Sequence, residues 1–390
     1  MYYNKRLKSV IKEQIWKYAP QLMLKRIKGT ELPHASSNFK YNMPVVGIFK
    51  DLLGLYENYV NAANDLKVPY RIVDLMSSDW LRNVKECGSE LFFAWPNPYQ
   101  KAWKDMWDER ILIIEKELGY RVYPRFDEIW FWESKRRMSY WLSSHDIPTP
   151  KTWVFYNYDE AVDFSNSIEL PIVFKPDFGD CARGVEILRS RRRAVALAKK
   201  AFQKGFYVEG HHPHDRVWGC AIFQEFIPNA REWRVVKIGD SLFCQLKGKK
   251  GDFHSGTRLV EYEKPTNKIL DFAMDVCVKG QLDCMSIDIL KTNNQYYALE
   301  LQTVFGIDPW IFYMAIDGMP GRYHIINNSG GYQYNFEHGI FCENQCCNLR
   351  IRDALQKYYY IEVEFWEKPG DLDKYLDIAK NEYRHLIKGL

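Results

Sequence analysis

A lysine followed by a glycine-bearing loop is the first feature of the sequence that could do chemistry. Ile172–Lys175 has the composition of a buried strand, and glycines follow at 179 and 184. Glycines let backbone N–H groups approach phosphate oxygens, and the lysine adds a positive charge. No Gly-Lys-Ser/Thr follows, so the loop is not a Walker A motif. Taken alone, a hairpin with a surface lysine explains the segment equally well.

Two carboxylates and an amide form the second feature. Asp288 lies in the predicted strand Ser286–Leu290, and Glu300 and Gln302 lie two residues apart in the following strand. Side chains two apart on a strand project from one face. Hard oxygen ligands of this kind suit Mg²⁺, which shares one or two carboxylates with substrate phosphates. A partly exposed sheet face with ordinary acidic residues is the alternative.

A strand that ends in an apolar turn is the third feature. Residues 224–228 read Gln-Glu-Phe-Ile-Pro, and Glu232 follows seven residues after Glu225. The backbone of such a turn can bind the edge of a base, and a later acid can bind ribose hydroxyls. Each of the three features is weak evidence by itself.

Their order along the chain resembles the ATP-grasp superfamily. Lys135 comes first, followed by Lys175 with its glycine loop, the apolar turn, Glu232, Asp288 and the Glu300-x-Gln302 pair. The pattern is similar to the carboxylate–amine ligases of that superfamily, such as ribosomal-protein glutamate ligases, glutathione synthetases and D-alanine–D-alanine ligases. It covers about residues 44–306 and is best from Pro171 onward. Residues 251–256 also resemble the substrate-side loop of the glutamate ligases.

The resemblance implies a role for each matching residue on the nucleotide side. Lys135 and Lys175 would contact the α- and β-phosphates, and the loop from Gly179 to Gly184 would fold over the triphosphate. Adenine would be held by three consecutive residues and the ribose by one acid, namely Glu225, Phe226, Ile227 and Glu232.

On the metal side, the resemblance implies that Asp288, Glu300 and Gln302 ligate Mg²⁺, with Mn²⁺ as an alternative. Lys247 matches a basic position that faces the γ-phosphate in the relatives. The usual last metal ligand is asparagine rather than glutamine, and Ser286 stands where D-alanine ligases place an arginine. Another cation must then hold the acyl-phosphate. The candidates are Arg234, Lys247 and Arg258.

Strands alternating with helices from Val45 onward predict an α/β protein with a parallel first sheet. The resemblance implies an ATP-grasp architecture: a Rossmann-like pre-ATP-grasp domain, a mobile α+β lid subdomain and a C-terminal metal-binding subdomain. The expected divisions are a basic helical segment over 1–40, the first domain over 41–150, the lid over 151–228, the metal-binding part over 229–325 and a helical, aromatic-rich tail over 326–390.

Composition excludes several classes of protein. Of the 390 residues, 46% are apolar and 27% charged, which excludes disorder, collagen and coiled coil. There is neither an 18-residue apolar run nor a signal-peptide pattern, so we expect a cytoplasmic protein. Eight basic residues against Glu13 give residues 1–30 a charge of +7, whereas the whole chain carries +4. The remainder is therefore near neutral, which argues against nucleic-acid binding.

The basic N-terminal segment has three interpretations. Its apolar stripe could dock on the body or on a second subunit, it could lie on the anionic inner face of a membrane, or it could be an exposed arm. Membrane contact would suit a ligase that modifies a lipid-linked glycan or its precursor.

Three clusters have both a functional and an ordinary interpretation. His338, Cys342, Cys346 and Cys347 could bind zinc, although buried or surface thiols explain them better. His211, His212 and His214 are expected in a solvated loop rather than a metal site. The arginines at 189 and 191–193 fit a solvated helix start, or a patch that attracts an anion.

The predicted activity is ATP- and Mg²⁺-dependent joining of a carboxylate to an amine, with an acyl-phosphate intermediate. The two substrates would be small molecules or glycan-linked. An ATP-grasp kinase that phosphorylates a hydroxyl is the alternative enzyme, and a nucleotide-binding protein without turnover is the alternative outside enzymes.

Overall fold

The computed structural model describes residues 43–179, 182–212, 214–257, 259–261, 263–293, 295–306, 321–329, 331–339, 341–363 and 387–388. The basic segment over residues 1–40, with its docking, membrane and oligomer interpretations, lies outside these ranges. Within them, no helix is long and apolar enough to cross a membrane. Three sheets organise the described chain.

The first unit is the parallel sheet that strand–helix alternation predicts. Its four strands run in the order β2-β1-β3-β4, and every neighbouring pair is parallel. The elements are β1 Val46–Phe49, α1 Glu57–Asp65, β2 Tyr70–Val73, α2 Trp80–Glu86, β3 Leu91–Phe93, α3 Lys101–Leu112 with a π-helical extension Ile113–Glu117, β4 Arg121–Tyr123 and α4 Phe126–Phe131. β1 and β3 are buried on both faces because helices cover both sides of the sheet.

A second unit carries the glycine loop. After α5 (Lys135–Ser144), its sheet has the order β5-β8-β6-β7, and all of its pairs are antiparallel. The elements are β5 Thr152–Phe155, α6 Tyr158–Ser167, β6 Ile172–Lys175, β7 Glu186–Leu188, α7 Arg191–Gln203 and β8 Ala221–Glu225. Side chains cap the starts of α6 and α7: Asn157 accepts from the Glu160 N–H, and Ser190 from the Arg193 N–H.

The third unit is an eight-stranded sheet with the path β13-β12-β9-β10-β11-β16. Its elements are β9 Arg231–Ile238, β10 Ser241–Lys247, β11 Val260–Glu261, α8 Asn267–Gly280, β12 Cys284–Lys291, β13 Tyr296–Gln302, β14 Gly321–Asn328, β15 Gly331–His338, α9 Glu343–Tyr359 and β16 Ile387–Lys388. Residues of β9 alternate between two cores. Trp233 and Val235 pack with α8, whereas Val236 and Ile238 pack with the first unit.

The C-terminal part differs from the predicted helical tail. β14 and β15 form a hairpin, and β14 also pairs with β10, so the expected boundary at residue 325 falls inside a strand of the large sheet. The alternation of aromatic and polar residues in Tyr332-Gln333-Tyr334-Asn335-Phe336 is the period-2 signal of a strand. α9 does provide a helix after Leu349, and it packs on α1 in the core that joins the first and third units.

Candidate functional site

A row of polar side chains crosses four strands of the large sheet. Gln245 on β10 pairs with Arg234 on β9, Arg234 pairs with Asp288 on β12, and Asp288 pairs with Glu300 on β13. Residues paired across neighbouring antiparallel strands share a face. A register shift after the Asp288–Glu300 pair marks a bulge, a feature that often re-aims side chains beside active sites. The sheet thus gathers on one face residues that are up to 66 positions apart in sequence.

Asp288 is the centre of the charges on this face. Its carboxylate is 2% exposed and accepts from Arg234 Nε at 2.8 Å, from Arg234 Nη2 at 3.1 Å and from Lys247 Nζ at 2.5 Å. Burial opposes its ionisation, but the two cations outweigh burial and hold the pKa of the Asp288 carboxyl below its ordinary value. Lys247 Nζ also donates to Glu232 Oε1 at 2.5 Å and to Ser255 Oγ at 3.2 Å. These contacts fix the buried Lys247 and the half-buried Arg234 beside two buried acids, Glu232 and Asp288.

The donor set around Glu300 fits a magnesium ion. Asp288 and Glu300 face each other across paired strands, and Gln302 follows on the same face, with its Nε2 donating to Glu300 Oε1 at 3.3 Å. Two carboxylates and one amide oxygen are hard ligands that leave room for phosphate oxygens. Glu300 is half-buried and lines both clefts described below. It is therefore the acid best placed to serve a metal shared between two bound molecules.

The first cleft lies between the second and third units, and its open volume of about 890 Å³ includes solvent space at its mouth. Its lining brings together most residues predicted for the nucleotide. They are Lys135, Lys175, Gly179, Glu225, Phe226, Ile227 and Glu232, and the predicted metal ligand Glu300 lines the same cleft. We call this the nucleotide-side cleft.

Two lysines stand at the phosphate end of this cleft. Lys135 begins α5, after the Ser134 cap, and its Nζ donates to the Gly179 carbonyl. Lys175 ends β6, where burial lowers the pKa of its ammonium to about 8; nearby Lys135 adds to this effect and Glu300 opposes it. An anion would be favoured here because it would stabilise both ammonium groups.

The glycine loop is shaped by backbone requirements. Gly179 has φ +118°, and a Cβ there would lie 2.7 Å from Val208 Cγ1. Gly184 has φ +72° and lies against Pro176, but it is absent from the cleft lining. Asp177 fastens the start of the loop to α5, accepting from Ser134 Oγ at 2.9 Å and from the Arg136 N–H at 3.0 Å. The backbone has a positive φ at both ends of this loop, a conformation that glycine adopts more readily than any other residue.

The apolar turn after β8 forms the opposite wall. Glu225, at the end of β8, is exposed, and its Oε2 accepts from the Lys151 N–H at 3.2 Å. Phe226 and Ile227 follow as half-buried residues of the lining. Glu232 is 3% exposed, and its Oε1 also accepts from Ser255 Oγ at 2.8 Å. The predicted ribose ligand is thus tied to Lys247 and Ser255.

A second, wider cleft of about 1780 Å³ opens between the first and third units. Its walls include Leu53, Trp95, Asn97, Trp132, Arg234, Gln245, Gln302, Phe305 and Gln345. His254, Ser255 and Glu300 line both clefts, so the two meet at these three side chains. Lys247 lines the second cleft and donates to Ser255 Oγ, so a molecule in one cleft can contact a molecule in the other beside Ser255 and Glu300.

Some predicted residues lie elsewhere. Arg258 is outside the described residues. His211 is 8% exposed and packs on the Phe178 ring at 4.9 Å, so the predicted solvated loop is wrong at that position. Within the described ranges, no three His, Cys, Asp or Glu side chains form a metal-binding group. Cys342, Cys346 and Cys347 are buried thiols.

Sequence reasoning missed the neutral side of the second cleft. Asn97, Gln245 and Gln345 carry no motif, and their spacing of 148 and 100 residues gives no local signal. By contrast, His254 and Ser255 fall in residues 251–256, the stretch already singled out as a substrate-side loop. Only the packing of α9 against α1 reveals that Gln345 belongs to the site.

Residues 133–318 match the model of the RimK-like ATP-grasp domain family. The coenzyme gamma-F420-2:alpha-L-glutamate ligase of Methanocaldococcus jannaschii is 24% identical over 172 residues, 42% of this chain and 54% of that protein. The alpha-aminoadipate–LysW ligase LysX of Saccharolobus solfataricus is 27% identical over 136 residues, 33% of this chain and 44% of that protein. The crystal structure of a RimK domain ATP-grasp protein from Sphaerobacter thermophilus aligns with a TM-score of 0.47 and 15% identity, covering 66% of this chain and 90% of that one.

The family match confirms the predicted resemblance to the ATP-grasp superfamily over residues 133–318, and the three sheets confirm the predicted mixed α/β class. The match begins at Glu133, so it covers the second unit and much of the third and leaves out the parallel first sheet. The chain spans about half the length of the two curated relatives, both of which are named as ligases.

Proposed function

We propose that the protein is an ATP- and Mg²⁺-dependent ligase that activates a carboxylate as an acyl-phosphate and joins it to an amine. The observation that carries the proposal is the meeting of the two clefts at His254, Ser255 and Glu300. A nucleotide in the first cleft and a carboxylate in the second would place the γ-phosphate and the attacking oxygen side by side. The divisions into first domain, lid and metal-binding part belong to the same proposal.

Each described residue has a role in this scheme. Lys135 and Lys175 bind the α- and β-phosphates, the loop from Gly179 covers the triphosphate, and Glu225–Ile227 holds the adenine. Glu232 binds the ribose after exchanging its contacts with Lys247 and Ser255. Asp288, Glu300 and Gln302 would hold Mg²⁺, which neutralises charge on the transferring phosphoryl group when bound.

The proposed reaction has two steps, and neither needs a nucleophile from the protein. A carboxylate oxygen attacks the γ-phosphorus and the bond to the β-phosphate oxygen breaks, giving ADP and the acyl-phosphate. Arg234 and Lys247 hold the developing negative charge, since both line the second cleft as cations fixed by Asp288. The amine nitrogen then attacks the acyl carbon, phosphate leaves, and the nitrogen loses a proton as the amide forms.

Oxygen-18 in the substrate carboxylate tests the central step. With ATP, Mg²⁺ and a panel of labelled carboxylates and amines, one labelled oxygen should appear in the released phosphate and the product mass should show an amide. Phosphate retained on a hydroxyl product would instead establish the kinase. Nucleotide binding with no ADP release above that of Glu300→Gln would establish a binding protein without turnover.

The substrates' wider setting stays a prediction. The prediction that the substrate is a glycan or a cell-surface precursor rests on membrane contact by residues 1–30. These residues lie outside the ranges that the structure describes. Vesicle binding by the intact chain is the measurement that bears on it.

A further inference from the structure

The loop that joins α7 to β8 contacts both the first unit and the glycine loop. An antiparallel bridge closes it, with two backbone hydrogen bonds of 2.9 Å between Phe206 and Val217. The loop carries His211, His212 and His214, and none of its described residues lines either cleft. We call residues 206–217 the histidine loop; position 213 lies outside the described ranges. The ligase scheme above gives this loop no role.

At one end, the histidine loop caps a helix of the first unit. α3 begins at Lys101, and the side chain of Gln100, at the capping position, makes no capping hydrogen bond. Instead, the Lys101 N–H donates to Asp215 Oδ2 at 2.7 Å. The first N–H groups of a helix have no partner within it, and a negative charge is favoured at this end. A carboxylate of the second unit thus stabilises a helix of the first.

A second contact fixes this end of the loop beside the second cleft. The His212 N–H donates to the Tyr99 carbonyl at 3.0 Å, and the two rings meet edge to face with centroids 6.0 Å apart. The Tyr99 N–H donates in turn to Asn97 Oδ1 at 2.9 Å, and Asn97 lines the second cleft. The Asp215 N–H donates to the His212 carbonyl at 2.9 Å, so both contacts with the first unit come from one turn.

The opposite end of the histidine loop packs on the glycine loop. The His211 and Phe178 rings are 4.9 Å apart, and Val208, which is 1% exposed, occupies the space that a Cβ at Gly179 would need. Phe178, His211 and Lys101 line one cavity, so the glycine loop, the histidine loop and the first unit meet there. A shift of the histidine loop would therefore displace Gly179, which lines the nucleotide-side cleft.

An arginine extends this packing to the far side of the glycine loop. Arg183 Nη1 donates to the Glu209 carbonyl at 3.4 Å, and a Cβ at Gly210 would clash with the Arg183 guanidinium. Gly210 also has a φ of +87°, a conformation that glycine adopts without strain. The glycine at 210 thus allows the arginine to lie directly against the histidine loop.

We infer that the histidine loop is a clamp through which the first unit holds the glycine loop in place over the nucleotide, with Asp215 and His211 as the contact residues at its two ends. The inference rests on the proposed function and names a control on its nucleotide side. Both are positioning residues, since neither lines a cleft. Tyr99 and Lys101 precede residue 133, where the RimK-like match begins, so the clamp joins the matched domain to a part of the chain that the family model does not cover.

The clamp has a measurable consequence for nucleotide binding. Asp177 fastens the start of the glycine loop to α5, whereas Gly179 and Arg183 contact the histidine loop. If the clamp opens, fewer molecules hold these residues in the binding position, and the apparent affinity falls in proportion to that fraction. The tryptic site after Arg183 should become accessible in the same molecules.

Asp215→Ala opens the clamp at its first-unit end. The affinity of the full chain for AMP-PNP with Mg²⁺ should fall about fivefold or more, and tryptic cleavage after Arg183 without nucleotide should be faster by a similar factor. Asn157→Ala is the matched control, because it removes the side-chain cap of α6 within the second unit. Both variants lose a helix cap and should melt a few degrees earlier. Asn157→Ala should nevertheless leave the affinity and the cleavage rate within about twofold of the parent.

Further variants separate a clamp from a general loss of structure. Asp215→Asn keeps an oxygen acceptor for the Lys101 N–H, so its AMP-PNP affinity should stay within about twofold of the parent. His211→Ala removes the ring contact at the other end and should also weaken AMP-PNP binding. Because the two ends act in series, the double variant Asp215→Ala, His211→Ala should bind no more weakly than the weaker of the two single variants.

Each result supports or overturns the clamp. Equal losses of affinity in Asp215→Ala and Asn157→Ala, an unchanged rate of cleavage after Arg183 in Asp215→Ala, or losses that multiply in the double variant would each overturn it. The ligase function is tested separately, by the labelled phosphate and the product mass. A parent chain that forms an amide, with an Asp215→Ala variant that binds AMP-PNP normally, would keep the ligase and overturn the clamp. A parent chain that binds no AMP-PNP would overturn the nucleotide assignment, and cleavage after Arg183 would still show whether the clamp holds the glycine loop.

Discussion

The two clefts differ in how the sequence builds them. The residues assigned to the nucleotide lie between Lys135 and Glu300, mostly on consecutive strands of the second and third units. The second cleft draws on short segments scattered from Leu53 to Gln345. A nucleotide site can therefore be recognised from order and spacing, whereas the second site exists only once the first unit, the large sheet and α9 have packed together.

They also differ in the kind of force they use. The nucleotide-side cleft contains the ammonium groups of Lys135, Lys175 and Lys249, which attract phosphate over several ångströms. The distinctive residues of the second cleft are neutral amides, whose hydrogen bonds act only at close range and fixed angles. Positive charge suits any ligand that carries phosphates, whereas directional hydrogen bonds discriminate between ligands of similar size. Changes at the three residues shared by both clefts, His254, Ser255 and Glu300, should have the largest effect.

Glu300→Gln should cause the largest loss of activity. It removes one of the carboxylates proposed to bind Mg²⁺, at the point where the two clefts meet, and ADP formation should fall at least about 100-fold. Because Glu300 is half-buried and accepts a hydrogen bond from the Gln302 amide, a contact that glutamine can also make, the melting temperature should change little. ADP release and thermal unfolding measured on the same samples check both statements.

Asp288→Asn should lose the same activity and also stability. The change leaves Arg234 and Lys247 without the buried carboxylate that both contact, a loss of about 3 kcal/mol in the free energy of unfolding. Gln302→Asn keeps an amide oxygen and serves as the tolerated control. Full activity in Glu300→Gln or Asp288→Asn would contradict the metal assignment, and equal stability of the two would contradict the charge arrangement.

The sequence predicted the fold class and nearly every strand that carries a site residue, because those strands have buried, β-branched or alternating patterns. It also predicted which residues gather in the nucleotide-side cleft, from Lys135 to Glu300. The sequence could not show that Lys247 donates hydrogen bonds to both Glu232 and Asp288, because these contacts depend on the register of the strands. The hairpin β14–β15 was missed although residues 332–336 alternate aromatic and polar side chains, and Gln345 was missed because left-handed backbone leaves no trace in composition.

Nucleotide affinity should fall about tenfold between about pH 7 and about pH 9. The free ammonium of Lys175 has a pKa lowered to about 8 by burial, and bound phosphates would favour its charged form and raise that pKa. Binding then takes up a proton above pH 8, so affinity is full below that pH and declines as pH rises through it. AMP-PNP titration calorimetry in buffers of different ionisation enthalpy measures the affinity and the proton uptake together.

Lys175→Arg is the matched control for this pH dependence. Arginine stays charged across this range, so the affinity of the variant should vary little with pH and its binding should take up no proton. A parent chain whose affinity is flat from pH 7 to pH 9 would show that Lys175 does not face the phosphates.

An ion pair across the mouth of the nucleotide-side cleft should have a smaller effect. Arg189, after β7, contacts Asp252 of the large-sheet unit, with Nη2 and Oδ2 2.8 Å apart. Both side chains are exposed, so the pair should contribute less than about 1 kcal/mol and weaken with salt. A double-mutant cycle with Arg189→Ala and Asp252→Ala on AMP-PNP affinity should give a coupling of a few-fold at low salt. Coupling that persists unchanged at high salt would argue against a simple ion pair.

Deletion of residues 1–33 should have the smallest effect on either cleft. Every residue that lines them lies at or after Leu53, so AMP-PNP affinity should stay within about twofold of the parent. The +7 charge of residues 1–30 predicts that this segment contacts a membrane or docks on the body, and does not bind the nucleotide. If it contacts an anionic membrane, the intact chain should sediment with anionic vesicles at low salt and be released at high salt, at about 1 kcal/mol per basic residue near the surface. If it docks on the body or on a second copy, the truncated chain should instead melt earlier or change mass while the intact chain ignores vesicles. A large loss of nucleotide affinity on truncation would show that the nucleotide-side cleft depends on a segment far outside its lining.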